Sequence, residues 1–119
     1  GRRVLVVDDE PELVGLALEM LEGLGYAPDG CIDALAALDA LRSGASYDVV
    51  VTDEAMPGLS GTELARAVRR TGDGVPILLV SGFGGALLAE RAAAAGVTRG
   101  LAKPLRRADL SQALAEVLG

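Results

Sequence analysis

Histidine does not occur anywhere in this chain of 119 residues. Without an imidazole the chain has no Ser–His–Asp triad, no His-ligated zinc site and no phosphohistidine of its own. Its single cysteine, Cys31, cannot form a disulfide within the chain and fits a reducing cytoplasm. Any chemistry must therefore depend on carboxylates, hydroxyls and amines.

Aromatic residues and long apolar runs are also scarce. Aromatics make up 3% of the chain and hydrophobic residues 50%, so we expect a core built mainly from Val, Leu, Ile and Ala. No apolar run approaches the roughly 18 residues needed to cross a bilayer. The net charge of −6 argues against direct contact with nucleic acid or an anionic membrane. The length fits one domain spanning residues 1–119.

Short runs rich in β-branched residues predict five strands. They lie at Val4–Val7, near Tyr26–Ile32, at Val49–Val51, at Ile77–Val80 and near Val97–Ala102. The central runs are continuously apolar, which is typical of a parallel sheet covered on both faces.

Apolar residues at helical spacing predict a helix after each strand. The expected buried positions are, helix by helix, Leu13, Leu16, Ala17, Met20, Leu21 and Leu24; Leu35, Leu38 and Leu41; Gly61, Leu64, Ala65 and Val68; Leu88, Ala92 and Ala95; and Leu110, Leu114, Val117 and Leu118. We expect Asp33 to cap the second helix and Ser60 with Glu63 to form a capping box for the third. Gly25 and Gly96 are expected to end the first and fourth helices.

This alternation predicts an α/β fold, a (βα)5 doubly wound parallel sheet with helices on both faces. Pro28 lies inside the second strand and cannot donate to a hydrogen-bond ladder, so that strand is expected at an edge. The flavodoxin-like strand order 2-1-3-4-5 satisfies this and makes the first and third strands neighbours.

Polar residues follow the strands at their carboxyl ends. Asp8 and Asp9 follow the first strand, Asp53 the third, Ser81 the fourth and Lys103 the fifth. Ligands of open parallel sheets bind at these ends, so we expect the five side chains to converge. Three clustered carboxylates repel by roughly a kcal/mol or more per pair. A divalent cation would offset this repulsion, and ligands that are all oxygen favour Mg²⁺ over Ca²⁺.

A cation beside a partly exposed aspartate also suits phosphoryl transfer to that carboxylate, with Lys103 neutralising phosphate oxygens. Each residue has a simpler explanation when taken alone. The DDEP run fits a helix N-terminus, Asp53 a turn, Ser81 a loop, Lys103 the solvated surface and Pro104 the end of a strand. Their joint occurrence at four strand ends favours a shared site.

The motifs VLVVDDE, DVVVTDEAMPGLSG, PILLVSG and LAKP, in this order, resemble the response-regulator receiver domains of two-component signalling from Val4 to Leu118. The resemblance implies that Asp53 is the phosphoacceptor. It implies Mg²⁺ bound by Asp9, Asp53 and the backbone carbonyl of Ala55, with Asp8 acting beside them, usually through water.

The resemblance also assigns roles at the fourth and fifth strands. Lys103 would pair with the phosphoryl group, its bond to Pro104 would be cis, and the Ser81 hydroxyl would move to bind the phosphoryl group. The donor would be a phosphohistidine of a histidine kinase or a histidine phosphotransfer protein. The domain would not be an enzyme in the ordinary sense, because it catalyses only its own phosphorylation and dephosphorylation.

The same resemblance predicts a cytoplasmic signalling domain, part of a hybrid sensor histidine kinase or of a response regulator. Output would pass to an attached domain or a homodimer through the face of the fourth helix, fifth strand and fifth helix. One departure concerns the position three residues before Lys103, where receivers usually carry an aromatic that changes rotamer. Here it is Gly100, and Phe83 is a candidate substitute.

Three other functions compete with this interpretation. A haloacid-dehalogenase-type phosphatase needs a second acid two residues after its nucleophile, and that residue is Ala55. A nucleotide-binding loop is not completed by GFGG at residues 82–85, since position 87 is leucine. A non-phosphorylated interaction scaffold of receiver shape stays open.

Overall fold

A computed structural model of the chain describes residues 1–82 and 85–119. The strands are β1 (Arg3–Val7), β2 (Ala27–Cys31), β3 (Val49–Asp53), β4 (Ile77–Ser81) and β5 (Arg99–Ala102). The helices are α1 (Pro11–Gly23), α2 (Ala34–Arg42), α3 (Gly61–Arg70), α4 (Gly85–Ala95) and α5 (Arg107–Leu118). Strands and helices alternate in the predicted order.

All five strands are parallel and lie in the order β2-β1-β3-β4-β5. This confirms the doubly wound, flavodoxin-like sheet and puts β2, with Pro28, at an edge. The carboxyl ends of the central strands are level, because Val7 pairs with Thr52 and Asp53 with Val80. Side chains that follow these strands therefore leave the sheet at the same edge.

Two apolar clusters cover the two faces of the sheet. One packs the sheet against α1 and α5, and its members include Val4, Leu21, Leu78 and Leu114. The other packs it against α2, α3 and α4. Every residue of β3 and β4 is buried, as expected for strands covered on both faces.

The helix ends follow the predicted capping signals. Asp33 accepts a hydrogen bond from the backbone N–H of Leu35, and Ser60 and Glu63 form the reciprocal capping box of α3. Gly25 and Gly96 have φ values of +92° and +80°, the left-handed conformation that glycine adopts most readily after a helix.

The buried faces of α1 and α2 differ from the prediction. Leu13, Leu16 and Leu35 are 37%, 53% and 56% exposed. The predicted burial of Ala17 and Leu21 in α1 and of Leu38 in α2 is confirmed. The other buried positions are Val14 in α1 and Ala34 and Ala37 in α2, which the prediction did not include. At Gly30 of β2 a Cβ atom would lie 2.5 Å from Val14 Cγ1, so this glycine lets α1 approach the edge strand along its Val14 side.

Among the described residues, no helix is both long enough and apolar enough to cross a membrane.

Candidate functional site

Three carboxylates meet where β1 and β3 end. Asp8 and Asp9 follow β1, Asp53 is the last residue of β3, and each contributes an oxygen within 4.8 Å of the other two. Asp8 and Asp53 are 9% and 5% exposed. The pairing of β1 with β3 produces this contact, since their ends lie side by side in the sheet.

A single ammonium group faces these acids. Lys103 follows β5, and its Nζ lies 2.7 Å from Asp53 Oδ1. Its backbone N–H donates to the carbonyl oxygen of Ser81 at 2.8 Å, which anchors the start of the β5–α5 loop to β4. Ser81 is 2% exposed at the end of β4, and the Lys103–Pro104 peptide bond is cis.

The titration of two groups reflects this crowding. Burial raises the pKa of Asp8, and the charges of Asp53 and Asp9 raise it further, against a hydrogen bond from the backbone of Glu10 and the charge of Lys103. Contact with Asp53 raises the pKa of Lys103. The acids therefore repel one another, and Lys103 supplies part of the missing positive charge.

The donor set fits a hard divalent cation. Asp53 Oδ1 is buried and, within the described part of the chain, accepts no hydrogen bond in addition to its ion pair. The oxygens of Asp8, Asp9 and Asp53 are close enough to share one ion, and such ligands suit Mg²⁺. Ala55 lies exposed in the β3–α3 loop two residues beyond Asp53.

Gly61 holds the β3–α3 loop against the end of β3. Its backbone N–H donates to the carbonyl oxygen of Glu54 at 3.0 Å. A Cβ atom at this position would lie 2.3 Å from the carbonyl oxygen of Asp53, so a larger residue would displace the main chain. From the sequence Gly61 was expected only as a buried helix position, and this contact with Asp53 was missed.

Glu54 is a second residue that the sequence did not single out. Its side chain is 9% exposed, and it accepts hydrogen bonds from the backbone N–H of Thr62 at 2.7 Å and from Thr62 Oγ1 at 3.1 Å. Nη1 of Arg91 in α4 lies 2.7 Å from Glu54 Oε2. No local pattern predicts this ion pair, because its partners are 37 residues apart.

Leu88 fills the space beside Gly100. A Cβ atom at Gly100 would lie 2.6 Å from Leu88 Cγ, so α4 packs closely against the backbone of β5. An aromatic side chain at position 100 would need this space. Phe83, the candidate substitute, lies outside the described residues.

An apolar groove of about 560 Å³ adjoins the acids. It lies beside α1 and the β5–α5 loop, and its lining includes Asp8, Leu13, Leu16, Met20, Lys103 and Leu105. Leu13 and Leu16, which were predicted to be buried in the core, therefore line an apolar surface next to the site.

Comparison with known proteins agrees with this geometry. The family model of the response regulator receiver domain matches residues 4–115. Transcriptional regulatory protein TcrA of Mycobacterium tuberculosis is 36% identical over 84 residues, covering 71% of this chain and 33% of that protein. Virulence sensor protein BvgS of Bordetella pertussis is 38% identical over 123 residues, covering 98% of this chain and 10% of BvgS. The chain thus spans only part of these relatives.

Solved structures show the same fold. Chemotaxis response regulator CheY4 of Vibrio cholerae superposes with a TM-score of 0.89 at 30% identity, covering 98% of both chains. The receiver domain of sensor histidine kinase PA1611 from Pseudomonas aeruginosa, with a magnesium ion in its active site cleft, gives 0.88 at 30% identity, covering 100% of this chain and 98% of that one. The chain therefore belongs to the response regulator receiver domain family of two-component signalling.

Proposed function

We propose that this chain is a phosphoacceptor receiver domain in which Asp53 takes a phosphoryl group from a phosphohistidine. The observation that carries the proposal is the 2.7 Å contact between Lys103 Nζ and Asp53 Oδ1 within a cluster of three carboxylates. A cation fixed opposite a buried carboxylate is suited to stabilising phosphoryl oxygens next to that carboxylate.

The residues present would hold Mg²⁺ at this cluster. Asp9, Asp53 and the backbone carbonyl of Ala55 would bind the ion directly, and Asp8 would act beside them through water. Once bound, the ion supplies positive charge that offsets the repulsion among the acids and the charge of the incoming phosphoryl group. The donor set and the buried Asp53 Oδ1 support this assignment.

Each side chain has a distinct role in the proposed transfer. An Asp53 carboxylate oxygen attacks phosphorus and forms an acyl phosphate, while the imidazole of the donor leaves. Lys103 pairs with a phosphoryl oxygen, and Ser81 moves to donate its hydroxyl hydrogen to another. The change in these contacts is the proposed origin of the conformational switch. Water then attacks phosphorus, which frees the Asp53 carboxylate and releases inorganic phosphate, so the domain catalyses its own dephosphorylation without turnover of other substrates.

The donor would be a histidine kinase or a histidine phosphotransfer protein. Because its imidazole must reach Asp53, its surface must also cover the residues around the mouth of the site. The exposed Leu13 and Leu16 and the groove beside them offer apolar contacts for that surface.

We place the domain, residues 1–119, in the cytoplasm as the receiver part of a hybrid sensor histidine kinase or of a response regulator. Proteins named as a sensor histidine kinase and as a response regulator both match the chain. The output would be an attached domain or a second copy that binds the α4–β5–α5 face, and the net charge of −6 disfavours nucleic acid as a direct partner.

Incubation with Mg²⁺ and the small phosphodonor acetyl phosphate tests the proposal. We expect the intact mass to rise by one phosphoryl group in the wild type and in Asp39→Asn, an exposed control on α2. The gain should be lost in Asp53→Asn and in wild type treated with a chelator. Continuous hydrolysis of many phosphomonoesters would instead indicate a phosphatase, and no mass gain in any protein would indicate an interaction scaffold.

A further inference from the structure

The main chain of Glu54 links the phosphoacceptor to the loop that follows it. Glu54 comes directly after Asp53 and donates its backbone N–H to the carbonyl oxygen of Val80 at 2.9 Å. Its own carbonyl oxygen accepts from Gly61 at 3.0 Å, which closes the loop that carries Ala55. A displacement of the chain at residue 53 must therefore displace Glu54 as well.

The side chain of Glu54 joins this loop to two helices. Its carboxylate lies at the N-terminus of α3, where it accepts from the N–H and the hydroxyl of Thr62. This position also places it near the positive end of the α3 dipole. Its Oε2 also pairs with Arg91 on α4, whose side chain is 44% exposed. One buried carboxylate thus connects the β3–α3 loop, α3 and α4.

Within residues 1–82 and 85–119, two further contacts of α4 lie away from the residues next to Asp53. Leu88 packs against Gly100, which has no side chain that could rotate. Arg69 of α3 donates from Nε to the carbonyl oxygen of Gly96 at 2.9 Å, just beyond the end of α4. Of these three contacts, the Glu54–Arg91 pair is the one that begins beside the phosphoacceptor.

We propose that Glu54 and Arg91 are positioning residues that couple α4 to the phosphorylation state of Asp53. This inference rests on the proposed function. When Lys103 and Ser81 turn to a phosphoryl group, the chain at residues 53 and 54 shifts, and the Glu54 carboxylate carries that shift to α4. By reciprocity, Arg91 steadies the loop that presents the Ala55 carbonyl to Mg²⁺.

A charge-balanced double variant tests the coupling. Glu54→Gln/Arg91→Gln keeps the net charge and an acceptor for Thr62 but removes the ion pair. The matched control is Arg3→Gln/Asp29→Asn, which removes an exposed ion pair between β1 and β2 and keeps the net charge. The edge strand β2 lies at the opposite edge of the sheet from β5. Hydrogen exchange of α4 amides is measured with and without phosphorylation, and intact mass reports the phosphoryl group on Asp53.

We expect phosphorylation to change the hydrogen-exchange rates of the α4 amides in the wild type and in the control. In Glu54→Gln/Arg91→Gln this change should be smaller by a factor of roughly 5 or more. The Mg²⁺ dissociation constant, measured by calorimetry, should rise by a similar factor in this variant alone. Arg91→Lys, which keeps the charge, should restore part of both effects.

Two results would overturn the coupling while leaving the proposed function intact. One is phosphoryl uptake without any change in α4 exchange in the wild type. The other is a double variant whose α4 exchange and Mg²⁺ affinity match those of the control. Absence of phosphoryl uptake in the wild type would instead reject the proposed function, and this coupling with it.

Discussion

Lys103 Nζ contacts Asp53 Oδ1 at 2.7 Å, and Lys103 is the only lysine in a chain whose other basic residues are all arginines. An ammonium is a compact charge that can change partners, whereas a guanidinium favours a fixed planar pairing. The residue opposite Asp53 is thus the one basic side chain suited to the proposed transfer from a carboxylate to a phosphoryl oxygen.

The pKa of Lys103 should depend on Asp53. Contact with Asp53 raises this pKa above its ordinary value of 10.5, so Asp53→Asn should lower it toward that value. Selective ¹³C labelling of lysine gives a resonance from a single residue, and its pH titration measures the pKa directly. An unchanged pKa in Asp53→Asn would contradict the ion pair, and Asp39→Asn provides the control.

The same shift sets the pH range in which the ion pair stabilises the fold. Because the folded-state pKa of Lys103 is raised, the stabilisation is complete below the unfolded pKa and is lost as pH rises through the folded pKa. The difference in unfolding free energy between wild type and Lys103→Met should therefore shrink above about pH 10.5. Urea denaturation in a chelating buffer measures it. A difference that stays constant across this range would reject the linkage.

Asp9→Asn should stabilise the metal-free protein. Removing one of three clustered carboxylates relieves repulsion worth on the order of 1 kcal/mol. The melting temperature of the variant should exceed that of the wild type in a chelator, and added Mg²⁺ should raise it less than it raises that of the wild type. Equal melting temperatures without metal, or equal gains with Mg²⁺, would contradict the proposed ion site.

The sequence was sufficient for the sheet and for the residues at its carboxyl edge. Continuous apolar runs identify buried parallel strands. A side chain that directly follows such a strand must lie at the carboxyl edge of the sheet, next to those that follow the neighbouring strands. Helix orientation was harder to predict. In α1 apolar residues occupy most of the circumference, so periodicity alone could not show that the sheet covers Val14 rather than Leu13 and Leu16.

Two of the contacts that sequence reasoning missed join residues that are far apart in the chain. In the sequence Glu54 is simply another acid after a strand. The structure explains its burial, because Arg91 of α4 pairs with its carboxylate. Likewise, the sequence shows only that Gly100 lacks the usual aromatic side chain. The structure shows that Leu88 occupies the space beside it. Such pairs depend on how α4 sits on the sheet, which no local pattern records.

Gly61→Ala should destabilise the fold and disturb the site. The added methyl group would lie 2.3 Å from the carbonyl oxygen of Asp53 and 2.6 Å from Leu79 Cδ1. Because the first of these atoms is backbone, the strand end must move, at a cost of about 1 to 3 kcal/mol. Gly74→Ala is the matched control, since nothing lies within 4 Å of a Cβ there. Equal urea midpoints for the two variants would refute the close approach.

Restoring an aromatic at position 100 tests whether Leu88 has taken its space. Gly100→Tyr should cost about 1 to 3 kcal/mol of unfolding free energy, because its Cβ would lie 2.6 Å from Leu88 Cγ. Leu88→Ala should cost about 2 to 5 kcal/mol through the cavity that it leaves. Denaturant titrations of each single variant measure these two values.

The double variant Gly100→Tyr/Leu88→Ala then completes the cycle. If the tyrosine ring fills the cavity, the double variant is more stable than the sum of the single effects predicts, by about 0.5 to 3 kcal/mol. Additive effects would mean that the two positions do not share one space. Leu21→Ala/Gly100→Tyr serves as a control, because Leu21 is buried in the apolar cluster on the other face of the sheet from Leu88. Its two effects should add within about 0.5 kcal/mol, since a cavity on that face opens no room for the ring.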